Sequence, residues 1–147
     1  MRKRFLKTVS FLLCLVMLCG IPAHAEEPAG PCASSQISGH SATLDKGSDG
    51  YLYVVFSIHT NRIMNTIGAS SVVIQRYSFF QWVNERIYTS EDTPELLRNN
   101  AGYHTLGIRY DPLFPNATYR AIVYFYAESD TMISTAKGTT NTIPKTA

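Results

Sequence analysis

Beyond position 50 the chain alternates apolar and polar residues with a period of two over most of its length. In YLYVVFSIHT, Leu52, Val54, Phe56 and Ile58 fall on one side, and Tyr51, Tyr53, Val55, Ser57 and His59 on the other. That is the pattern of a strand with one buried face. SVVIQRYS and WVNERIYTS continue it, joined through FFQ; YHTLGIRYD, the stretch Tyr119 to Asp130, and TMISTAKGTT follow, each set off by turn residues. A weaker strand is expected within QISGHSATLD, ahead of the turn DKGSDG, whereas NRIMNTIGAS breaks the alternation and reads as a connection. The one helical signal is EDTPELLRNN. There Thr93 can cap, Pro94 suits the first helical position, Asp92 and Glu95 have capping-box spacing, and Asn99 and Asn100 end the helix after barely two turns. Six or seven short strands with no long helix predict an all-β domain. The expected form is an antiparallel Greek-key β-sandwich with one short helical turn in a connecting loop.

The first 25 residues follow another rule. Arg2, Lys3, Arg4 and Lys7 precede an apolar run from Val9 to Leu18, and Gly20, Pro22, Ala23 and Ala25 follow it. This is the layout of a secretory signal peptide cut after Ala25. The lipoprotein alternative needs a small residue before Cys19 and meets Leu18. The expected organisation is therefore a signal peptide over 1–25, a flexible proline- and glycine-rich arm over 26–35, and a single domain over 36–147. Four of the thirteen basic residues leave with the signal while all eleven acids stay, so the net charge changes from +2 to −2. No basic cluster remains, which argues against nucleic acid as a partner. Release to the outside without further membrane contact is expected. Cys14 and Cys19 also leave, so Cys32 is alone and no disulfide can form within the domain. A monomer is expected, with a Cys32-linked dimer as the alternative.

DPLFPNATYRAIVYFYAESD carries a family resemblance. Leu113, Pro115 and Tyr119, followed by Ala121, Val123 and Phe125 at period two, closely resemble the fibronectin type III pattern of a leucine, a proline two later and a tyrosine four after that. The resemblance implies an immunoglobulin-like or fibronectin type III-like sandwich similar to small secreted bacterial proteins of unknown function. In it Tyr119 is the tyrosine that pins the corner, and Leu113 and Val123 lie in the core. The tryptophan that this family carries in its second strand is missing from YLYVVFSIH.

The other faces of these strands carry the candidate chemistry. If Tyr119, Ala121, Val123 and Phe125 point inward, then Arg120, Ile122, Tyr124 and Tyr126 point outward. With Val83 and Ile87 inward, Trp82, Asn84, Arg86 and Tyr88 face out, and the family's topology adds Gln75 and Tyr77. The expected partner-binding patch is Trp82, Arg86, Tyr88, Arg120, Tyr124 and Tyr126. Trp, Tyr and Arg dominate protein-binding surfaces, and flat rings also stack on sugars, so an extracellular protein or glycan is the expected partner. Cross-strand packing alone would use the same residue types.

Catalytic signals are weak, and the domain is expected not to be an enzyme. No GxSxG, HExxH or phosphate-cradling loop occurs. The alternative is a secreted hydrolase using surface His59 or His104 with Cys32 or the strand-end carboxylates Asp111, Glu128 and Asp130. Asp45, Asp49 and Gly50 match calcium-loop positions, but Gly47 and Phe56 stand where ligands belong, so a tight turn is expected instead. Asn116 in NAT is read as part of the corner turn. No cofactor or metal is expected.

Overall fold

The computed structural model describes residues 36–144. The signal peptide, the arm and Cys32 lie outside them. Six antiparallel strands run β1 (Ile37–Lys46), β2 (Leu52–Ser78), β3 (Gln81–Thr89), β4 (Leu97–Tyr110), β5 (Tyr119–Ser129) and β6 (Met132–Thr139), with one 3₁₀ turn, Pro94–Leu96, ahead of β4. The fold is all-β, as the alternation implied.

NRIMNTIGAS proves not to be a connection: it is the middle of β2, a single strand of 27 residues. The first half of β2 pairs with β1 and with the second half of β4 (Leu52↔Tyr110 to His59↔Tyr103). Its second half pairs with β5 on one side, with β3 on the other, and with the start of β4 at Met64 to Gly68. Register shifts fall between His59 and Met64 and between Ala69 and Ser71. Inward positions accordingly run 52, 54, 56, 58, then 64, 67, 69, then 72 and 74. The buried set changes step between Met64 and Ile67 and again between Ala69 and Val72, which erases the period-two signal.

The sheet doubles over, and its two halves share one core. Phe56 from the first half meets Phe125 of β5 edge to face, ring centroids 6.0 Å apart, and Tyr110 meets Tyr119 at 6.3 Å. Full burial of an aromatic or aliphatic side chain of this size stabilises by about 1.5–3 kcal/mol. Leu44, Leu52, Val54, Ile58, Ile67, Val72, Ile74 and Val123 complete the packing. β1 is fastened near β6 by Gln36 N–H donating to Ser134 Oγ, and by the Asn141 side chain bonding both the amide and the carbonyl of Leu44.

Three further expectations change. The two-turn helix contracts to Pro94–Leu96: Thr93 makes no side-chain cap, Asp92 accepts from Thr89 Oγ1 instead, and Leu97 to Asn99 pair with β2. Tertiary pairing and the burial of Leu96 outweigh a weak local preference. Leu113 is 77% exposed rather than in the core. Tyr119 is buried as the resemblance implied, but its hydroxyl has no hydrogen-bond partner of good geometry. The nearby Phe114 amide only partly opposes the upward push that burial gives its pKa. Asn116 sits in a turn closed by Ala117 N–H donating to the Phe114 carbonyl.

The β2–β3 connection is a two-residue turn of Phe79 (φ 48°) and Phe80 (φ 65°). Such turns favour Asn-Gly, because both central residues sit in the left-handed region, at about 1–2 kcal/mol for a residue with a Cβ.

Gly68 (φ +152°) marks the closest crossing: a Cβ there would stand 2.0 Å from the Leu96 carbonyl oxygen. Gly68→Ala is expected to destabilise by about 1–3 kcal/mol or more, read as a drop in urea midpoint at unchanged slope. A second expectation concerns alkali. Burial, with Tyr119 adding, pushes the Tyr110 pKa up to about 12, and burial also raises Tyr119. Their neutral forms are favoured by the fold, so this contribution is complete below the unfolded value of about 10 and is lost as pH rises toward 12. Tyrosinate absorbance at 295 nm should show these phenols ionising only as the protein unfolds.

Candidate functional site

The outer face of the β3–β2–β5 region is ordered by a rung of side-chain hydrogen bonds. Gln75 Nε2 donates to Asn84 Oδ1 of β3 at 2.8 Å, and Arg120 Nε of β5 donates to Gln75 Oε1 at 2.8 Å. The three residues are cross-strand partners, so the bonds lie across the strands. The Arg120 guanidinium lies 4.1 Å over the Trp82 ring, and Trp82 in turn contacts Tyr77 at 5.2 Å with a 58° tilt. Trp82, Arg120, Gln75 and Tyr77 thus form one continuous surface. Tyr124 and Tyr126 continue it along β5. Tyr124 is exposed, with Lys137 Nζ 5.6 Å from its ring, and the Tyr126 hydroxyl donates to Glu128 at 2.8 Å. Burial first, then that carboxylate, raises the Tyr126 pKa.

Arg86 and Tyr88 do not join them. Arg86 pairs with Ile74 and Asn84 with Gln75, so Glu85 is an extra residue in β3 and reverses which face its neighbours present. Tyr88 stands opposite buried Val72 and packs against the core, while Val83 and Ile87, expected inward, are exposed. Arg86 lies 5.4 Å over the Tyr88 ring, beside a cavity of about 380 Å³ that Glu85, Tyr110, Asp111 and Leu113 also line. The expected six-residue patch is therefore divided between two faces of β3.

Glu85 explains the bulge chemically. Its carboxylate bonds Arg76 Nε, both side chains being largely buried, and the Arg76 guanidinium lies 4.2 Å from the centre of the Phe114 ring. Arg76 thereby holds the loop between β4 and β5 against the hairpin. Next to it is a cavity of about 510 Å³ lined by Arg76, Tyr77, Leu113, Phe114, Pro115 and Asn116. The hairpin tip beyond is apolar and uncovered: Phe79 is 92% and Phe80 94% exposed. The sequence carried a signal for this tip in its two apolar residues where turn chemistry asks for Asn and Gly.

Both candidate histidines are engaged in fold contacts. His59 stacks on Tyr103 at 4.5 Å. His104, expected at the surface, is buried edge-on to Phe56, with Nε2 2.9 Å from the Glu95 carbonyl oxygen and Nδ1 without a partner. Asp49 belongs to its own turn: Oδ1 accepts from the Tyr51 amide and Oδ2 from the Tyr53 hydroxyl at 2.6 Å. The Tyr53 bond is the main cause that lowers the Asp49 pKa. Among the described residues no three His, Cys, Asp or Glu side chains gather as a metal group.

Fold and face together define an all-β domain with a hydrogen-bonded aromatic and cationic surface. The chain matches no protein-family model, no curated protein and no solved structure.

Removing Arg76 would leave the Glu85 carboxylate largely buried and without this partner. Arg76→Ala is expected to cost about 1.5–3 kcal/mol, the worth of a hydrogen bond to a charged group, while Glu85→Gln/Arg76→Ala together should cost less than the single Arg76→Ala change. Urea denaturation of the variants checks both.

Proposed function

We propose that this chain is an exported, non-catalytic binding domain of the immunoglobulin-like or fibronectin type III-like Greek-key class, recognising an extracellular protein through its outer β3–β2–β5 face. The leader-like pattern of residues 1–25 supports export. The pairing of β1 and β4 with one half of β2, and of β3 and β5 with the other, supports the sandwich topology, as does a buried tyrosine opening β5. The single β2 in place of two strands, the exposed Leu113 and the unpartnered Tyr119 hydroxyl depart from that family's pattern.

The observation that carries the binding reading is the Trp82–Arg120–Gln75–Asn84 rung. Its side chains are already bonded to one another across three strands, so their rotamers are ordered before any partner arrives, which lowers the entropic cost of association. Trp, Tyr and Arg are also the residues that concentrate binding energy at protein interfaces. Protein is favoured over glycan because Arg120 already covers one face of the Trp82 ring, where a sugar would stack.

Trp82→Ala and Tyr124→Ala should each weaken capture of a partner found on an array of purified extracellular proteins by at least about tenfold, the effect expected of an interface hot spot. Their thermal midpoints should stay close to wild type. Unchanged affinity in both variants, or loss of the fold on replacing Trp82, would remove this face from the proposal.

A further inference from the structure

The hairpin tip poses a separate problem. Phe79 and Phe80 occupy left-handed positions that Asn and Gly would fill without strain, and at 92% and 94% exposure their rings gain no burial from this fold. Strain retained at an exposed turn points to a contact outside the chain. We propose that this tip is a membrane-docking element that places Phe79 and Phe80 at the acyl–headgroup boundary of a lipid bilayer, with the domain standing end-on.

The chemistry behind the tip is layered as a bilayer surface is. One pair of residues back from the turn flank stands the Tyr77–Trp82 pair, about 7 Å from Phe79 at the strand rise of about 3.3 Å per residue. Tyr and Trp are the side chains that settle at the membrane–water interface, where one end is apolar and the other wet. Two residues further, at about 13 Å on the same rise, comes the polar rung of Gln75, Asn84 and Arg120. The Arg120 side chain bonds a neutral amide there, so its charge can meet lipid phosphate. Apolar tip, aromatic pair and cation thus follow the order acyl boundary, interface, headgroup, the tip and the aromatic pair within the depth of about 5–10 Å that interfacial elements reach and the cation just outside it.

A second prong stands beside the first. Leu113 and Phe114 are exposed in the β4–β5 loop, held at the hairpin base by Arg76 stacked on Phe114 and by Lys46 Nζ donating to the Pro115 carbonyl at 2.9 Å. A convex pair of apolar prongs suits a fluid surface better than a flat protein face. Among the described residues no helix is long and apolar enough to cross a membrane, so the contact is peripheral. It departs from the expectation of a chain without membrane contact, and it uses the tip-proximal end of the β3–β2–β5 face, Trp82 and Arg120, while Tyr124 and Tyr126 stand further from the tip along β5.

Trp82, the sole tryptophan of the chain, reports on this directly. The processed chain from Glu26 onward is mixed with vesicles of phosphatidylcholine and phosphatidylglycerol, and with the same vesicles carrying brominated acyl chains. Expected are a blue shift of Trp82 emission, quenching by the brominated lipid, and co-sedimentation. The Phe79→Asn/Phe80→Gly variant restores favoured turn residues and should keep or raise the thermal midpoint while losing at least tenfold in vesicle affinity. The proposal is overturned if the wild-type chain leaves vesicles unbound, or if that variant binds them equally well. Tip-dependent self-association by sedimentation without vesicle binding would likewise overturn it and assign the tip to a second copy.

Discussion

A strand of 27 residues, at about 3.3 Å each, would reach about 90 Å if straight, whereas a domain of this size is roughly 35 Å across. β2 therefore has to turn back within itself, and the rest of the molecule depends on how it does so. The sheet doubles over where β2 and β4 bend together, and the slips at Asn61–Ile63 and Ser70 let the strand bury residues on both sides of the bend. Gly68 is needed where the strand passes under the Leu96 carbonyl, because no side chain fits that approach. Every other strand except β6 is positioned by pairing to β2.

How legible each part was in the sequence follows from whether its strand keeps step. Leu52 to Ile58 and Tyr119 to Ala127 run without a bulge at their core positions, and their inward residues were readable from period two alone. Residues 61–70 were not, since three consecutive exposed positions followed by shifted buried ones look like a loop. β3 misled for the same reason on a smaller scale: one extra residue, Glu85, sends Tyr88 inward and Ile87 outward. Trp82, Arg120, Tyr124 and Tyr126 of the expected patch stay on one face because Trp82 precedes the extra residue in β3 and β5 alternates without an extra residue of its own. The helix at EDTPELLRNN was a correct local signal that lost to pairing with β2.

Arginines recur against aromatic rings on this domain: Arg76 on Phe114, Arg120 on Trp82, Arg109 on Tyr51 at 3.9 Å and Arg86 on Tyr88. Each contact contributes about 0.5–1 kcal/mol at an exposed site. Their larger effect is geometric. A stacked guanidinium keeps its charge while giving up rotamer freedom during folding, so the surfaces these residues build are stiff without being neutral.

The central place of β2 also governs how the chain acquires its structure. The β1–β2 and β2–β3 hairpins close over short turns and can form early, but neither half of β2 gains its core until β5 arrives. β5 pairs residues 119–128 with 66–76 across roughly fifty intervening positions. Such distant pairing has to pay loop-closure entropy before burial returns anything, and folding dominated by it falls on the order of milliseconds to seconds. Until then the long strand offers unpaired backbone along both edges, a template for pairing with other chains. A chain built this way depends on staying apart from its copies during that interval.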